Sequence, residues 1–476
     1  MFGGKRVIAY ELNEVPLRIL DWFAAGNPKS AIAKLMNRGR VIQSVAQDEG
    51  GLSPWITWPT LHRGVLNTAH TIHDFGQDLR DINRDFPSVW ELLARGGRKV
   101  GMFGSLHSYP LPKNVEDYAF YVPDTFAAGP ECFPQKFEAF QDFNLAMVDR
   151  SGRNVSSGIA LNGLAKFLAA APRLGLRGAT VAKLAGQLAA ERMQPNRIVR
   201  RRTSQVQIAF DFFLNELRRT EPEASFFFTN HLASSMHRYW PALFPQDYGD
   251  KFWTDEWAGQ WSGEIAFACR EASAQIGHLM RFVENDPRYA LVVMTSMGQA
   301  ALENYNEMIR SVLSFKDIGQ FMRLMGLRED EWRRERAMVP LYTVGVTPQL
   351  AEGFAARAKS VVIDGEPLKI EPRGYGVYRI ELGQQNLDDA SIDIRFEGRR
   401  VTLAEAGMQN ESTQDESSCY GYHVPEGSLL LYDPAQAGTG AGERASVSTL
   451  EIAPSLLANF GVDRPNYMVE PTAPLH

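Results

Sequence analysis

Gly421-Tyr-His-Val-Pro-Glu-Gly-Ser-Leu-Leu-Leu-Tyr-Asp-Pro434, followed by Ser448-Thr-Leu-Glu-Ile-Ala-Pro-Ser-Leu-Leu-Ala-Asn-Phe-Gly-Val462, sets a histidine ahead of an apolar strand and then a helix. Units of the same kind run through the earlier sequence. Val7 to Leu12 reads as a buried strand, and Pro16 to Asn37 as a helical stretch broken near Gly26-Asn-Pro28. Phe86 to Ala94 has helical spacing, Gly96-Gly97 stops it, and Lys99 to Phe103 resumes as a strand. Ala224 to Thr229, a helical pattern from Glu264 to Val283, and Tyr289 to Thr295 repeat the alternation. Strand and helix in turn predict an α/β fold, a mostly parallel sheet with helices on both faces. In such sheets sites gather at the C-terminal ends of strands, so the residues just after each apolar run are the ones to inspect.

Two segments break the alternation. Residues 153–202 carry ten Lys or Arg against one acid, Glu191, within Ala/Leu-rich helical sequence. This reads as a basic helical insertion, either a solvated cap or a face that meets a polyanion, an anionic membrane surface or a phosphorylated substrate. Further on, Lys359 to Ile363, Gly376 to Leu382 and Ser391 to Phe396 are short strands set between turns such as Asp364-Gly365 and Glu397-Gly398, which predicts a small antiparallel β subdomain. The expected division is therefore 1–150 and 206–350 for the α/β core, 151–205 for the basic insertion, 351–405 for the β subdomain, and 406–476 for the completion of the core.

Of the 476 residues, 44% are hydrophobic and 22% charged, the balance of an ordinary globular protein and not of a disordered one. A net charge of -6 gives no reason to expect specific nucleic-acid binding. The three cysteines, Cys132, Cys269 and Cys419, are widely spaced and read as free thiols of a reducing compartment. Neither a signal-peptide core nor a membrane-spanning apolar run is evident, so the expected address is the cytoplasm, with the basic segment as the element able to touch the inner face of a membrane.

The strand ends carry polar residues in a telling order. Val7-Ile-Ala-Tyr-Glu-Leu-Asn13 opens it, and Leu52-Ser-Pro-Trp-Ile-Thr-Trp-Pro-Thr-Leu-His-Arg-Gly64 follows with Ala69-His-Thr-Ile-His-Asp-Phe75. Phe226-Phe-Phe-Thr-Asn230 precedes His237-Arg-Tyr-Trp240, and Val292-Val-Met-Thr-Ser-Met-Gly298 comes last before the closing segment. Taken together these resemble the alkaline phosphatase superfamily in its type I phosphodiesterase/nucleotide pyrophosphatase-like branch. Within that branch they are most similar to a divergent bacterial subgroup that accompanies surface-polysaccharide synthesis. The resemblance covers most of residues 5–310 and 415–470.

What the resemblance implies is an alkaline-phosphatase-like fold and phosphoryl or related ester chemistry on a glycan or nucleotide-sugar. Ser53 matches the nucleophile but sits farther from Gly64 than usual, which leaves Thr57 as an alternative. His237 and His423 match metal-binding histidines and serve as ligands or as acid and base, His237 standing with Ser53, Thr57 and Glu14 among the catalytic candidates. Asn13 and Asn230 stand where the family keeps metal-binding Asp, and Ser296-Met297 where it keeps an Asp-His pair; Asn13, Asn230 and Ser296 then become holders of the transferred group. Two divalent ions about 4 Å apart need anionic oxygen ligands, and neutral amides, a hydroxyl and a soft thioether supply little of that. The expectation is at most one ion, Zn, Mn or Mg, on His237 or His423, and no dinuclear centre.

Other residues stay open. Glu11, Glu14, Asp48 and Glu49 lie near the expected site edge, either as surface carboxylates or as replacement ligands and general acids or bases, Glu14 foremost among the catalytic candidates. His62, His70 and His73 are either structural or ligating. Trp55, Trp58, Tyr239 and Trp240 pack the core or wall a sugar-binding cleft, with Trp55 and Trp240 as the substrate-binding candidates. Two functions follow, an ester hydrolase or transferase and a non-catalytic pseudoenzyme that binds a polysaccharide or a partner protein.

Overall fold

The computed structural model describes residues 1–74, 77–150, 163–302, 307–335, 341–374, 376–388, 391–436 and 444–472. Two compact units account for the chain, one formed by 1–142, 165–306 and 419–476 and the other by 143–164 and 307–418.

The first unit is built on an eight-stranded sheet. Its early strands are β1 (Arg6–Leu12), β2 (Arg40–Val45), β3 (Val100–Phe103), β4 (Phe120–Val122), β5 (Ala224–Thr229) and β6 (Tyr289–Met294). Across the sheet the order is Ser446–Ser448, β2, Leu429–Tyr432, β6, β1, β5, β3 and β4. Strands β6, β1, β5, β3 and β4 are parallel to one another, and Leu429–Tyr432 alone runs antiparallel to both its neighbours, β2 and β6. The central strands β1 and β6 are buried on both sides, which explains the apolar runs Val7–Tyr10 and Tyr289–Met294.

Helices cover the two faces. Val7 and Ala9 of β1 join a buried cluster with Trp58 and Leu61, Trp90 and Leu93, and Ile452, Leu456 and Leu457 from three helices. On the opposite face the Tyr10 hydroxyl donates to Gln275 Oε1 at 2.8 Å on the helix Glu264–Asn285. The parallel α/β expectation is thus met. A further short strand, β7 (Gly298–Ala301), pairs antiparallel with Gly421–Val424, outside the main sheet.

Of the basic insertion, residues 151–162 lie outside the described residues; Leu164–Leu174 and Gly178–Met193 are helical. No helix among the described residues is long and apolar enough to cross a membrane. Cys132, Cys269 and Cys419 are buried, and none is in a disulfide.

The second unit is built from small antiparallel sheets. Leu341–Val346, grouped with the α/β core in the sequence reading, pairs antiparallel with Val377–Glu381 in a four-stranded sheet of this unit. A second four-stranded sheet includes Val361–Ile363 and Ile394–Phe396, and Ser311–Phe315 pairs with Met408–Ser412. The apolar side chains of Leu313, Val344, Ile363, Ile380 and Ile394 share one buried cluster. Among the described residues these strands pair with one another, so the β region is larger than the 351–405 turn signals alone mark out.

Candidate functional site

Strand β1 delivers Asn13 and Glu14 at its C-terminal end, and Glu14 takes φ 60, a left-handed conformation that costs a non-glycine residue energy. The turn aims both side chains into one polar cluster. Asn13 Nδ2 donates to Glu14 Oε1 at 2.7 Å and to Asn230 Oδ1 at 2.8 Å, while Asn13 Oδ1 accepts from Trp58 Nε1 at 2.7 Å. Gln299 of β7 donates its amide to Glu14 Oε2.

Two histidines meet the same oxygen. His237 Nε2 lies 2.8 Å and His423 Nε2 3.4 Å from Glu14 Oε2. Each ring is fixed from behind by a backbone carbonyl, His237 Nδ1 donating to Gly421 O at 2.6 Å and His423 Nδ1 to Leu52 O at 2.8 Å. Gly421 is required for this approach, because a Cβ there would stand 2.9 Å from Met236 O and 3.1 Å from the Trp240 ring. The Cys419 Sγ lies 3.2 Å from His237 Nδ1.

Burial opposes the Glu14 charge, yet the His423 and His237 imidazoles outweigh it and hold the carboxyl well below the usual carboxylate range. Burial also works against a charged His237, but the neighbouring Cys419 sulfur and Glu14 carboxylate push it up to about 10. Side-chain exposure is 20% for His237 and 10% for His423 against 3% for Glu14, so the open approach is from the imidazole side.

This donor set suits one divalent ion. One atom from each of Glu14, His237 and His423 lies within 4.8 Å of the others. Both Nδ1–H groups are committed to carbonyls, which fixes the ring orientation and turns both Nε2 atoms toward the carboxylate. Two imidazoles and a glutamate with room for a further ligand are the donors of a catalytic zinc site. Binding there displaces the His237 proton, so affinity falls with acid.

The remaining positions are neutral. Asn13 and Asn230 are already bonded to each other, and Asn230 is exposed at the mouth of the cluster. Ser296 is fully buried and its hydroxyl shares a 2.8 Å bond with Thr57 Oγ1. Met297 is fully buried as well.

Of the two hydroxyls read as nucleophile, Ser53 is partly exposed and Thr57 is not. Ser53 forms the N-cap of the helix Pro54–Arg63, directly after the carbonyl that anchors His423. Thr57 sits one turn inside that helix, bonded to Ser296 and to Ser53 O at 3.2 Å. Trp55 packs edge-on to Phe126, ring centroids 4.6 Å apart. Trp240 is fully buried with Nε1 donating to Asp247 Oδ2 at 2.8 Å, so it has no surface to offer a sugar.

The other candidates lie elsewhere. Glu11 is fully buried and accepts from His62 Nε2 and Ser105 Oγ, both at 2.7 Å. Asp48 bonds Thr60, whose hydroxyl also meets His70 Nε2 at 2.9 Å, and burial pushes the Asp48 carboxyl up. Glu49 meets Asn67 through its backbone, and His73 is exposed. Phe75 lies outside the described residues.

Gln299, Cys419 and Tyr422 were not singled out in the sequence. Tyr422 is 43% exposed and stacks on His423 with ring centroids 4.4 Å apart. Its position beside His423 was the available signal, and Gln299 lies just beyond the apolar run Tyr289–Met294, where strand-end residues belong to sites.

No protein-family model matches the chain, and no curated protein does. Solved structures similar to it include murine ectonucleotide pyrophosphatase/phosphodiesterase 5 as an inactive variant in complex with AMP, at 9% identity and TM-score 0.38, covering 97% of this chain and 96% of that one. The human ectonucleotide pyrophosphatase/phosphodiesterase 5 matches at 9% identity and TM-score 0.35, covering 98% and 97%. A variant of the alkaline phosphatase PafA matches at 12% identity and TM-score 0.42, covering 98% of each chain.

Proposed function

We propose that the chain is a phosphoryl-ester hydrolase or transferase with an alkaline-phosphatase-like fold, working with one divalent ion on Glu14, His237 and His423. The observation that carries this reading is the convergence of two carbonyl-anchored imidazoles on one buried carboxylate oxygen, at 2.8 and 3.4 Å, beside the N-cap serine Ser53. A bound Zn, Mn or Mg ion supplies Lewis-acid polarisation of a phosphoryl oxygen.

The chain's own groups do the rest. Ser53 Oγ is the nucleophile: it forms a bond to phosphorus as the ester P–O bond breaks, its proton going to solvent and the departing oxygen taking one up. The positive end of the helix Pro54–Arg63 stabilises the charge that gathers on the transferred group. Asn230, at the mouth, offers an amide to that group. Tyr422 provides an open ring for the flat or sugar portion of a glycan or nucleotide-sugar substrate. The family resemblance in the sequence supports a role in surface-polysaccharide assembly, and three cysteines outside any disulfide support a cytoplasmic address.

A second reading, a pseudoenzyme that binds a polysaccharide or partner in the same cleft, draws support from the neutral Asn13–Asn230 pair. Metal analysis of the purified protein, with hydrolysis of aryl phosphate, phosphodiester and sulfate esters by wild type and Ser53→Ala, separates the two. Ester turnover that needs the ion and disappears in Ser53→Ala is the expected result. Tight ligand binding with no turnover of any ester would establish the pseudoenzyme instead.

A further inference from the structure

Among the described residues, the exposed large hydrophobics are Leu168, Val181, Leu188, Met193, Tyr422 and Val469, and the first four fall on two consecutive helices. Globular helices bury their apolar stripe. The helix Gly178–Met193 does the reverse: of its 16 residues only Thr180 is buried. Its sequence, GATVAKLAGQLAAERM, is mostly Ala, Leu, Val and Met.

The exposed positions have helical order. Val181, Ala185, Leu188 and Arg192 recur at four-, three- and four-residue steps, and Ala182, Ala189 and Met193 form the adjacent row, all exposed. The opposite side, with Thr180, Leu184, Gln187 and Glu191, is the covered one. Gln187 there donates to Glu191 and to Arg197 O, and Glu191 takes a bidentate bond from Arg201. The only acid of the segment is therefore turned inward and neutralised.

Between Lys166 and Met193 the exposed charged residues are Lys166, Arg173, Lys183 and Arg192, every one a cation. Of these Lys183 is engaged with Glu271. Arg177, Arg200 and Arg201 are withdrawn into ion pairs with Asp211, Glu264 and Glu191. The positive charge that remains at the surface is thus the portion interleaved with exposed apolar side chains.

We propose that the outward face of the helix Gly178–Met193 docks on an anionic lipid surface, its apolar stripe lying in the headgroup boundary and the cations of this segment meeting lipid phosphates. A face of apolar side chains and cations complements such a surface on both counts, burial of apolar area and attraction to negative headgroups. A second copy of the chain is the poorer partner, since it would set two like-charged faces together with no exposed acid in either helix to compensate. At about 1.5 Å per residue the helix is about 24 Å long, enough to lie along a bilayer surface and too short to span it. The inference is independent of the ester chemistry, because the residues concerned are not part of that site.

Co-sedimentation of the full chain with vesicles of phosphatidylcholine alone, and of phosphatidylcholine mixed with phosphatidylglycerol, tests it. Binding to the mixed vesicles is expected at low salt, with weakening at high salt and little binding to phosphatidylcholine alone. Val181→Glu with Leu188→Glu and Met193→Glu should lower the affinity at least tenfold, and because these side chains are exposed the melting curve should be unchanged. Arg173→Glu with Arg192→Glu should cost about fivefold or more per charge on the mixed vesicles. Wild type that ignores anionic vesicles, or triple-Glu protein that binds as wild type does, overturns the proposal. So does a concentration-dependent dimer that the triple variant abolishes while vesicles have no effect, which would assign the face to a second copy.

Discussion

His237 and His423 hold their rings 5.3 Å apart and address the same oxygen of Glu14, although one comes from the middle of the helix His231–Leu243 and the other from the strand Gly421–Val424. Two imidazoles that share an acceptor in this way form a clamp whose natural occupant is a cation. Titration of the metal-free protein with zinc, followed by calorimetry, is expected to show one equivalent bound. Glu14→Gln and His423→Ala should each weaken it by about tenfold or more, since each removes one of three donors. Two tight equivalents in this cleft would mean that Asn13 and Asn230 ligate despite their neutrality.

The two hydroxyls near the helix start should separate cleanly. Thr57→Val removes a buried bond to Ser296 and leaves that hydroxyl unpaired, a loss of about 1–3 kcal/mol in urea unfolding, with turnover per folded molecule retained. Ser53→Ala should leave stability within about 1 kcal/mol, a typical N-cap loss, and abolish ester turnover. The opposite pattern would make Thr57 the nucleophile.

Tyr422 and Trp240 form a second contrasting pair. Tyr422→Ala takes away an exposed ring stacked on His423, so KM for a ring-bearing ester should rise several-fold while KM for a simple alkyl phosphate stays level. Trp240→Phe breaks a part-buried bond to Asp247, which keeps Arg18, and should lower the free energy of unfolding by about 1 kcal/mol, with little effect on KM. Equal KM shifts for both esters in Tyr422→Ala would remove the ring from the substrate site.

Acid should destabilise the fold through buried histidines other than His237 and His423. Burial pushes His70 and His107 down to about 3 and His231 down to about 4, so the folded chain keeps them neutral while the unfolded chain protonates them below its ordinary pKa of about 6.5. The stability they contribute is complete above that pH and is lost as the pH falls toward their folded values, by about 2 kcal/mol for each at pH about 5. Urea midpoints measured from neutral to mildly acid pH should fall accordingly, and His70→Gln should flatten the slope. A flat wild-type profile would contradict neutral burial.

Much of the α/β core was legible because its signals are local. Unbroken apolar runs such as Tyr289–Met294 announce a strand covered on both faces, and Ser30 after Gly26-Asn-Pro28 restarts a helix where the periodicity resumes. The meeting of Asn13 and Asn230 also follows from strand-end logic once the parallel order is granted, whereas His237, in mid-helix, and His423, in a strand outside the main sheet, were marked only by the family resemblance. What the sequence left open depends on tertiary context. Whether Ser53 or Thr57 faces solvent is decided by one helical turn and by Ser296, far along the chain. Glu14 reaches the histidines through a left-handed turn that no hydrophobic pattern encodes. The charged segment misleads for the same reason, since composition counts Arg200 and Arg201 as free cations while their partners, Glu264 and Glu191, are found only in the fold.

The place of Leu429–Tyr432 between β2 and β6 has a consequence for how the protein is made. During translation both neighbours emerge before it, β2 by nearly the whole length of the chain, so each presents an unsatisfied strand edge until it arrives, open to pairing with other chains. A polypeptide released at residue 420 would lack the strand that joins β2 to β6 and, with it, the preceding His423. Completion of the sheet and completion of the Glu14–His237–His423 cluster therefore come together on the ribosome: a nascent chain stopped before residue 423 has neither.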